Sequence, residues 1–307
     1  MIKRHNITIF TPTYNRIGEL AACYESLVAQ TNPNFTWMII DDGSTDETEQ
    51  IVEHWQKSGK ILIEYYKKVN GGKHTAYNFA INLCKTDYFL FLDSDDTLVP
   101  ECIEILDGHI DKIFDKSKIS GIIGLWSSTD KTSVARMPVN VENLSGIELN
   151  QKYGFAGETV RMYKTNILKE YVFPIFPKEK FIYENVIFEP IDSKYKMLIV
   201  NKILARGKFL EGGYTSGADK LKVNNPKGYA LSLDTSVKYA LSVRKKINWT
   251  ILYIIWSHNF KNAGGYKMFS SKLMYLTIYP LAMVLEMFKQ PRFFFRILEK
   301  KNKLGNS

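Results

Sequence analysis

Apolar positions in the first hundred residues follow two alternating periods. Short runs of β-branched and aromatic residues predict strands at 7–11, 35–41, 61–66 and 88–93. Apolar residues spaced three and four apart predict helices at 18–30, 45–57 and 75–84. Ser44, with Glu47 three residues later, has capping-box spacing and predicts the start of the second helix. Strands and helices alternating in this way are typical of an α/β fold with a mostly parallel sheet and helices on both faces.

The pattern loosens beyond residue 119. It predicts a buried strand at 121–126, an edge strand at 159–163, an extended loop at 173–181, a helix at 183–194 broken by Pro190, and a mobile glycine-containing loop at 207–219. From residue 226 onward the spacing is helical, in three or four segments. We therefore expect an α/β domain over residues 1–220 and a helical region over residues 221–307.

The net charge of +9 is concentrated at the C-terminal end of the chain. Residues 238–307 hold 13 Lys and Arg against 2 Asp and Glu, whereas the remaining residues hold 28 against 30. With 45% hydrophobic and 24% charged residues, the chain is neither disordered nor a polytopic membrane protein. A basic chain suggests nucleic acid as a partner, but no recognition motif accompanies the charge, so we expect none.

Three widely spaced cysteines, Cys23, Cys84 and Cys102, form no C-x-x-C pair. This argues against a disulfide framework and a zinc site, and the first residues contain no secretory signal. We therefore expect a reducing, cytoplasmic setting.

The basic C-terminal region surrounds an uncharged stretch at residues 273–285. As a helix it would span about 20 Å, short of the roughly 30 Å hydrocarbon core, and Pro280 would bend it. Flanking basic and aromatic residues suit a helix lying in an anionic membrane interface. We expect peripheral contact with the inner face of the cell membrane. The alternatives are an interface between copies of the chain, giving a homo-oligomer, and a packed helical cap.

Polar residues follow each of the first four predicted strands. The four runs are Thr11-Pro12-Thr13-Tyr14-Asn15-Arg16, Asp41-Asp42-Gly43-Ser44, Asn70-Gly71-Gly72-Lys73 and Asp93-Ser94-Asp95-Asp96. Ligands of open parallel sheets bind beyond the carboxyl ends of the strands, so we expect these runs to line one crevice. Each run alone is compatible with ordinary turns and helix caps, but four together favour a binding site.

The residue types in this crevice fit a nucleotide. Asp93 and Asp95 point the same way at strand geometry and suit Mg²⁺ or Mn²⁺ bridging a diphosphate. The permissive backbone of Gly71 and the ammonium of Lys73 suit a phosphate. Tyr14 can stack on a base, and Asp42 can accept a hydrogen bond from a ring N–H.

At these runs the sequence resembles family 2 glycosyltransferases, the inverting type with the GT-A fold. The resemblance covers roughly residues 6–214, and the order, spacing and strand context of the motifs agree. It implies a GT-A (Rossmann-like) α/β domain, base contacts from Tyr14 and Asp42, a ribose-side contact from Asp93 and a divalent metal, Mn²⁺ or Mg²⁺, on Asp95. The nucleotide-binding residues are then expected to be Pro12, Thr13, Tyr14, Arg16, Asp42, Gly71, Lys73, Asn78, Asp93 and Ser94.

Two positions depart from the family pattern. Tyr77 stands where the family usually has Arg, which leaves Lys73 as the expected diphosphate cation. Glu184-Asn185 replaces a Glu-Asp pair, within a stretch similar to the E-K-F-x-x-E of a bacterial cell-surface polysaccharide subgroup. Since Asn185 cannot accept a proton, the resemblance makes Glu184 the catalytic base. The alternative is that Glu184 only starts a helix.

The same subgroup resemblance extends to two further segments. Gly212, Gly213 and Tyr214 are expected to form a lid over the donor phosphates, the alternative being an ordinary surface loop. Glu158 is expected to line the acceptor pocket. His74 is expected to be a satisfied polar residue rather than a metal ligand.

The resemblance implies an inverting, metal-dependent transferase that moves a sugar from a nucleotide-sugar donor, most simply a UDP-sugar, to a hydroxyl of a surface-polysaccharide or lipid-linked glycan acceptor. Two alternatives remain open from the sequence. A catalytically impaired nucleotide-sugar or glycan-binding protein is compatible with Glu184-Asn185. A sugar nucleotidyltransferase would need a Gly- and Arg/Lys-rich loop after the first strand, and residues 11–16 do not supply it.

Overall fold

The computed structural model describes residues 7–114, 116–129, 136–208, 218–261 and 263–288. The lid residues Gly212, Gly213 and Tyr214 lie outside these ranges, as do six of the 13 cations of residues 238–307. The described chain forms two compact units. The first ends at Phe173 and resumes over Ile191–Lys208, and the second comprises Pro174–Pro190 and the chain after Lys208. The domain boundary expected at residue 220 stays a prediction.

In the described part of the first unit, nine strands form a single sheet. They are β1 (Ile7–Thr13), β2 (Phe35–Asp41), β3 (Leu62–Lys67), β4 (Tyr88–Phe91), β5 (Asp96–Leu98), β6 (Ile119–Ser128), β7 (Asn143–Leu144), β8 (Thr159–Lys164) and β9 (Lys196–Gly207). Their order is β3-β2-β1-β4-β8-β6-β9-β5, and β7 pairs with β9. The first four strands are parallel, so their carboxyl ends meet at one edge.

The described residues of the two units contain twelve helices. They are α1 (Ile17–Val28), α2 (Thr48–Ser58), α3 (Lys73–Leu83), α4 (Cys102–Ile110), α5 (Gly146–Gln151), α6 (Thr165–Leu168), α7 (Asn185–Asp192), α8 (Ala218–Asn224), α9 (Pro226–Tyr239), α10 (Val243–Asn259), α11 (Gly265–Met268) and α12 (Lys272–Phe288). The predicted α/β class is confirmed, as is the helical spacing from residue 226 onward.

Successive side chains of each strand point to opposite faces of the sheet, and both faces are buried. Ile9 of β1 joins a core cluster shared with α1, α2 and α4, whereas its neighbour Phe10 stacks on Phe89 at 5.3 Å on the face that carries α3. On the first face, Tyr24 stacks on Trp55 with centroids 4.3 Å apart. Burial on both faces explains why these strands read as nearly continuous apolar runs. The second unit has its own core, built from α9, α10 and α12.

Three local predictions were wrong. Pro190 does not break the helix expected at 183–194, because α7 continues through it. The strand at 159–163, expected at an edge, is β8, which lies between β4 and β6 and is antiparallel to both. Ser44 does not cap α2, because its hydroxyl accepts the amide of Asn15 at 2.9 Å and α2 begins after Glu47 without a side-chain cap. Ser145, at the start of α5, forms a complete capping box with Glu148 instead.

Candidate functional site

The carboxyl ends of β1 and β2 are joined by Asn15. Its backbone is left-handed, with φ of 50°, a conformation that asparagine tolerates better than most residues. Its Oδ1 accepts the amide of Thr45 at 2.7 Å. This bond, with the one from the Asn15 amide to Ser44, fixes the first two runs side by side. Tyr14, directly before it, is 47% exposed and presents its ring at this edge.

Asp42 organises the run after β3. Its Oδ1 accepts from Lys68 Nζ at 2.5 Å and from the Gly71 amide at 2.9 Å, while its Oδ2 accepts from the Gly72 amide at 2.6 Å. Gly72 has φ of 92°, which only glycine adopts readily. The carboxylate therefore shapes the loop that starts α3. The preceding Asp41 is fully buried and accepts from the Tyr65 hydroxyl at 2.6 Å.

Two cations from different strand ends meet the acidic run after β4. Arg16 Nη1 lies 2.8 Å from Asp95 Oδ2, and Lys73 Nζ lies 2.6 Å from Asp93 Oδ1 and 2.8 Å from Asp93 Oδ2. The structure thus brings together four residues that the sequence predicted to share a site. Ser94, between the two carboxylates, is buried, and so is Thr13 at the end of β1.

The sequence placed Asp96 in the fourth polar run but gave it no role, and it did not indicate its partner Trp126. Asp96 accepts from Trp126 Nε1 at 2.8 Å, and a Cβ on Gly207 would lie 2.0 Å from its Oδ1. Burial, together with Asp93, raises the pKa of Asp96 to about 7, and Asp95 and Glu158 act in the same direction. Burial is the main cause of this raised pKa, and the neighbouring carboxylates add to it. Lys68 was also missed, although its position between β3 and the glycine pair was a usable signal.

Asn78 and Tyr77 lie together on α3. Asn78 Nδ2 donates to the Phe173 carbonyl at 2.8 Å, and its Oδ1 accepts the Phe173 amide at 2.9 Å. Tyr77, in the place of the family's usual Arg, is 2% exposed and donates to the Tyr171 carbonyl at 3.1 Å. These contacts fasten α3 to the end of the first unit. A nucleotide contact from Asn78 stays a prediction.

His74, one turn into α3, was expected to be satisfied, and this was wrong. It is 2% exposed and packs edge-on against Phe173, and within the described chain neither ring nitrogen has a hydrogen-bond partner. Burial lowers the pKa of His74 to about 4. The imidazole is therefore neutral at physiological pH.

A pH dependence of stability follows from His74. Below its ordinary pKa the unfolded chain takes up a proton that the folded protein refuses, so stability falls as pH drops from about 6.5 towards 4. We expect His74 to account for about 2 kcal/mol of the stability lost between pH 7 and pH 5. Urea unfolding at both values should show a smaller loss for His74→Phe than for the wild type. Equal losses would contradict this role.

Glu184 belongs to the second unit, directly before α7, and is exposed. Its segment is fastened to α9 on both sides. Glu179 accepts the amides of Lys227 at 3.0 Å and Gly228 at 2.8 Å, at the positive end of that helix. Asn225 Oδ1 accepts the amides of Lys180 and Phe181 at 2.7 and 3.0 Å.

On the other side of Glu184, Asn185 holds the segment to α9 by three hydrogen bonds. Its Nδ2 donates to the Ser232 carbonyl at 3.0 Å and to Ser236 Oγ at 3.1 Å, while its Oδ1 accepts from the Ser232 hydroxyl at 2.7 Å. An aspartate could not donate to a carbonyl oxygen. The departure from the family's Glu-Asp pair therefore has a structural reason.

The carboxylates after β4 offer oxygen ligands for a metal ion. Among the residues that the structure describes, no group of three or more His, Cys, Asp and Glu side chains is arranged to hold a metal ion. Asp93 and Asp95 are nevertheless hard oxygen donors that reach solvent, with side chains 44% and 25% exposed. Mg²⁺ is usually held by one or two carboxylates and completed by substrate phosphates and water. The two residues therefore fit a divalent cation whose remaining ligands would be phosphate oxygens and water.

The chain is similar to a known protein family and to known sequences. The model of glycosyl transferase family 2 matches residues 8–171, which include β2–β4, all of β1 except its first residue, and all four runs. Chondroitin synthase of Escherichia coli is 36% identical over 100 residues, 32% of this chain and 14% of that protein. The matched part is thus about a seventh of that relative.

Solved structures support the fold. The structure of S. aureus TarS 1-349 in complex with UDP-GlcNAc aligns with a TM-score of 0.61 at 20% identity, covering 90% of this chain and 79% of that one. The mannosyltransferase PcManGT from Pyrobaculum calidifontis, in complex with GDP-Man and Mn²⁺, aligns with a TM-score of 0.52 at 13% identity, covering 98% and 80%. At these identities the likeness establishes the architecture alone.

Proposed function

We propose that this chain, which belongs to glycosyl transferase family 2, is an inverting, metal-dependent enzyme that moves a sugar from a UDP-sugar to a hydroxyl of a surface-polysaccharide or lipid-linked glycan. The observation that carries the proposal is the convergence of Arg16, Lys73, Asp93 and Asp95 at one sheet edge, beside the exposed ring of Tyr14. Cations for a diphosphate, carboxylates for a divalent ion and a ring for a base are the groups that a nucleotide-sugar requires.

Each residue has a separate task in this proposal. Tyr14 stacks on the base, and Asp42 accepts a hydrogen bond from it while holding the loop at Gly71 and Gly72. Lys73 and Arg16 bind the diphosphate, and Asp93 lies on the ribose side. Asp95 would hold Mn²⁺ or Mg²⁺, which when bound neutralises the charge that develops on the leaving diphosphate.

Glu184 is the proposed base. Its carboxylate takes the proton of the acceptor hydroxyl while that oxygen attacks the anomeric carbon, and the bond from the anomeric carbon to the diphosphate breaks as the new one forms. Attack opposite the leaving group inverts the anomeric configuration. The exposure of Glu184 and the fastening of its segment to α9 support this role, because a base must be accessible and held in place. Glu158 is proposed to line the acceptor pocket, and Gly212, Gly213 and Tyr214 to cover the donor.

The proposed function is tested by a thermal-shift panel of nucleotides and nucleotide sugars, with and without Mn²⁺. We expect uridine nucleotides to raise the melting temperature more than other nucleotides, and Mn²⁺ to enlarge the shift. A protein that no nucleotide sugar stabilises under either condition would contradict the proposal.

The apolar face of α12 supports the proposed peripheral membrane contact. We define this face as Leu273, Leu276, Leu281, Val284, Met287 and Phe288, all of which are exposed. The helix's charged residues, Lys272 and Glu286, lie at its ends. No helix in the described ranges has the length and hydropathy of a membrane span.

The charge of the neighbouring sequence supports the partner proposed for this face. The sequence directly after α12 contains six cationic residues, Lys289, Arg292, Arg296, Lys300, Lys301 and Lys303, against the single acidic Glu299. An apolar helix face next to cations suits the interface of an anionic bilayer, where each cation near the surface contributes about 1 kcal/mol. We therefore propose that the apolar face of α12 lies in an anionic lipid surface.

Co-sedimentation with vesicles tests this contact. We expect binding to phosphatidylglycerol vesicles, little binding to phosphatidylcholine vesicles, and at least tenfold weaker binding for Leu276→Glu and Leu281→Glu, which lose apolar burial and gain repulsion. Val139→Glu, at an 80% exposed position in the other unit, is the matched control. Absence of lipid binding, or self-association that Leu276→Glu abolishes, would contradict the membrane contact.

A further inference from the structure

Two ion pairs in the donor site join groups that the ligand itself would need. Arg16 and Lys73 are the cations proposed for the diphosphate, yet each is bonded to a carboxylate of the acidic run, Asp95 and Asp93 respectively. The two pairs come from separate strand ends, after β1 and β3, and both meet the run after β4. The site is therefore internally neutralised at the positions where the ligand's charges would lie.

These two pairs are able to open. The side chains of Arg16 and Asp95 are 29% and 25% exposed, and those of Lys73 and Asp93 are 22% and 44% exposed. Water reaches all four groups and can solvate the charges once a pair has separated. Opening these pairs therefore costs less free energy than opening a buried pair. Arg16 extends from the residue before α1, and Lys73 is the first residue of α3, so neither cation is anchored deep in the core.

The third ion pair at this edge is built differently. Lys68 and Asp42 have side chains only 17% and 6% exposed. Lys68 Nζ also donates to the Val69 carbonyl at 2.7 Å and to Thr75 Oγ1 at 2.8 Å, and Asp42 accepts two backbone amides. Opening this pair would leave several buried groups without partners, so it is a permanent part of the loop.

We propose that Arg16 and Lys73 exchange partners when the donor binds. In the ligand-free protein they neutralise Asp95 and Asp93. With a divalent cation at Asp95, the added positive charge would repel both side chains, and they would turn to the diphosphate. The inference rests on the proposed function and adds that metal and nucleotide are coupled through this exchange.

The exchange predicts that removing Arg16 changes the Mn²⁺ affinity in an unusual direction. If Arg16 competes with the metal for Asp95, removing Arg16 strengthens metal binding in the absence of nucleotide and weakens nucleotide binding in the presence of metal. If Arg16 instead only orients Asp95, removing it weakens metal binding. The two accounts therefore differ in direction and not only in size.

The experiment titrates full-length Arg16→Gln with Mn²⁺, following free Mn²⁺ by electron paramagnetic resonance, and with UDP by calorimetry. We expect Mn²⁺ to bind about fivefold more tightly without UDP, and UDP to bind about tenfold more weakly with Mn²⁺. UDP binding without metal should be unchanged, because Arg16 is then engaged with Asp95. By linkage, Mn²⁺ affinity in the presence of UDP should fall about twofold.

Three further variants complete the test. Lys73→Gln should change both affinities in the same directions as Arg16→Gln, and Arg16→Lys should retain much of the wild-type coupling. Lys57→Gln, which removes a 79% exposed cation of α2, should leave both affinities unchanged. Wild type that binds no Mn²⁺ with or without UDP would overturn the proposed metal dependence. Wild type that binds Mn²⁺, with equal or weaker binding in Arg16→Gln, would overturn the exchange alone.

Discussion

Asp95→Ala is expected to abolish sugar transfer and to remove the effect of Mn²⁺ on UDP binding. Asp95 is the carboxylate assigned to the metal, and without it the diphosphate loses the cation that stabilises it as a leaving group. We expect the transfer rate to fall by at least about 10²-fold, the size seen when a single stabilising group of this kind is removed. Calorimetric titration with UDP, with and without Mn²⁺, measures the binding half of the prediction.

Folding should be little affected by Asp95→Ala, because the side chain is partly exposed and its partner Arg16 also reaches solvent. Asp87→Ala is the matched control, since it removes an exposed carboxylate just before β4, at the other end of the same strand. It should retain activity and the Mn²⁺ effect. UDP binding that is still enhanced by Mn²⁺ in Asp95→Ala would contradict the metal assignment.

Glu184→Gln is expected to lower kcat by about 10²- to 10⁴-fold while leaving UDP affinity and the donor KM unchanged. The amide has nearly the same shape as the carboxylate but cannot take the proton of the acceptor hydroxyl. With the acceptor unidentified, Mn²⁺-dependent release of UDP from a UDP-sugar, with water as the acceptor, provides the rate.

A loss of activity without a loss of binding distinguishes a base from a structural residue. Glu184 is exposed and directly precedes α7, so its replacement should not change the melting temperature. Glu170→Gln, at an exposed position in the first unit, should behave as the wild type. Full activity in Glu184→Gln would assign the base to another residue.

Much of the first unit was predictable because its signals are local. The bounds of β2 agree with the apolar run at 35–41, since a strand buried on both faces has no polar interruption. The four polar runs were predicted to share one edge, and the pairs Arg16–Asp95 and Lys73–Asp93 lie there.

Features that depend on distant partners were not predictable. The central position of β8 depends on β6, some 35 residues earlier in the chain, which supplies its second neighbour. Ser44 has the spacing of a helix cap, but its hydroxyl accepts a hydrogen bond from the amide of Asn15 instead. The link from Asp96 to Trp126 joins two strands of the sheet, and no sequence spacing indicates it. From the sequence, Asn185 is only a missing carboxylate of the family pattern. Its contacts with Ser232, which is distant in the chain, explain the amide.

The most direct test of the donor site is a crystal of the protein grown with UDP and Mn²⁺, with diffraction measured where Mn²⁺ scatters anomalously. We predict an anomalous peak beside Asp95, with the diphosphate near Lys73 and the uracil against Tyr14. A Mn²⁺ peak away from Asp95, with the nucleotide bound elsewhere, would contradict the account.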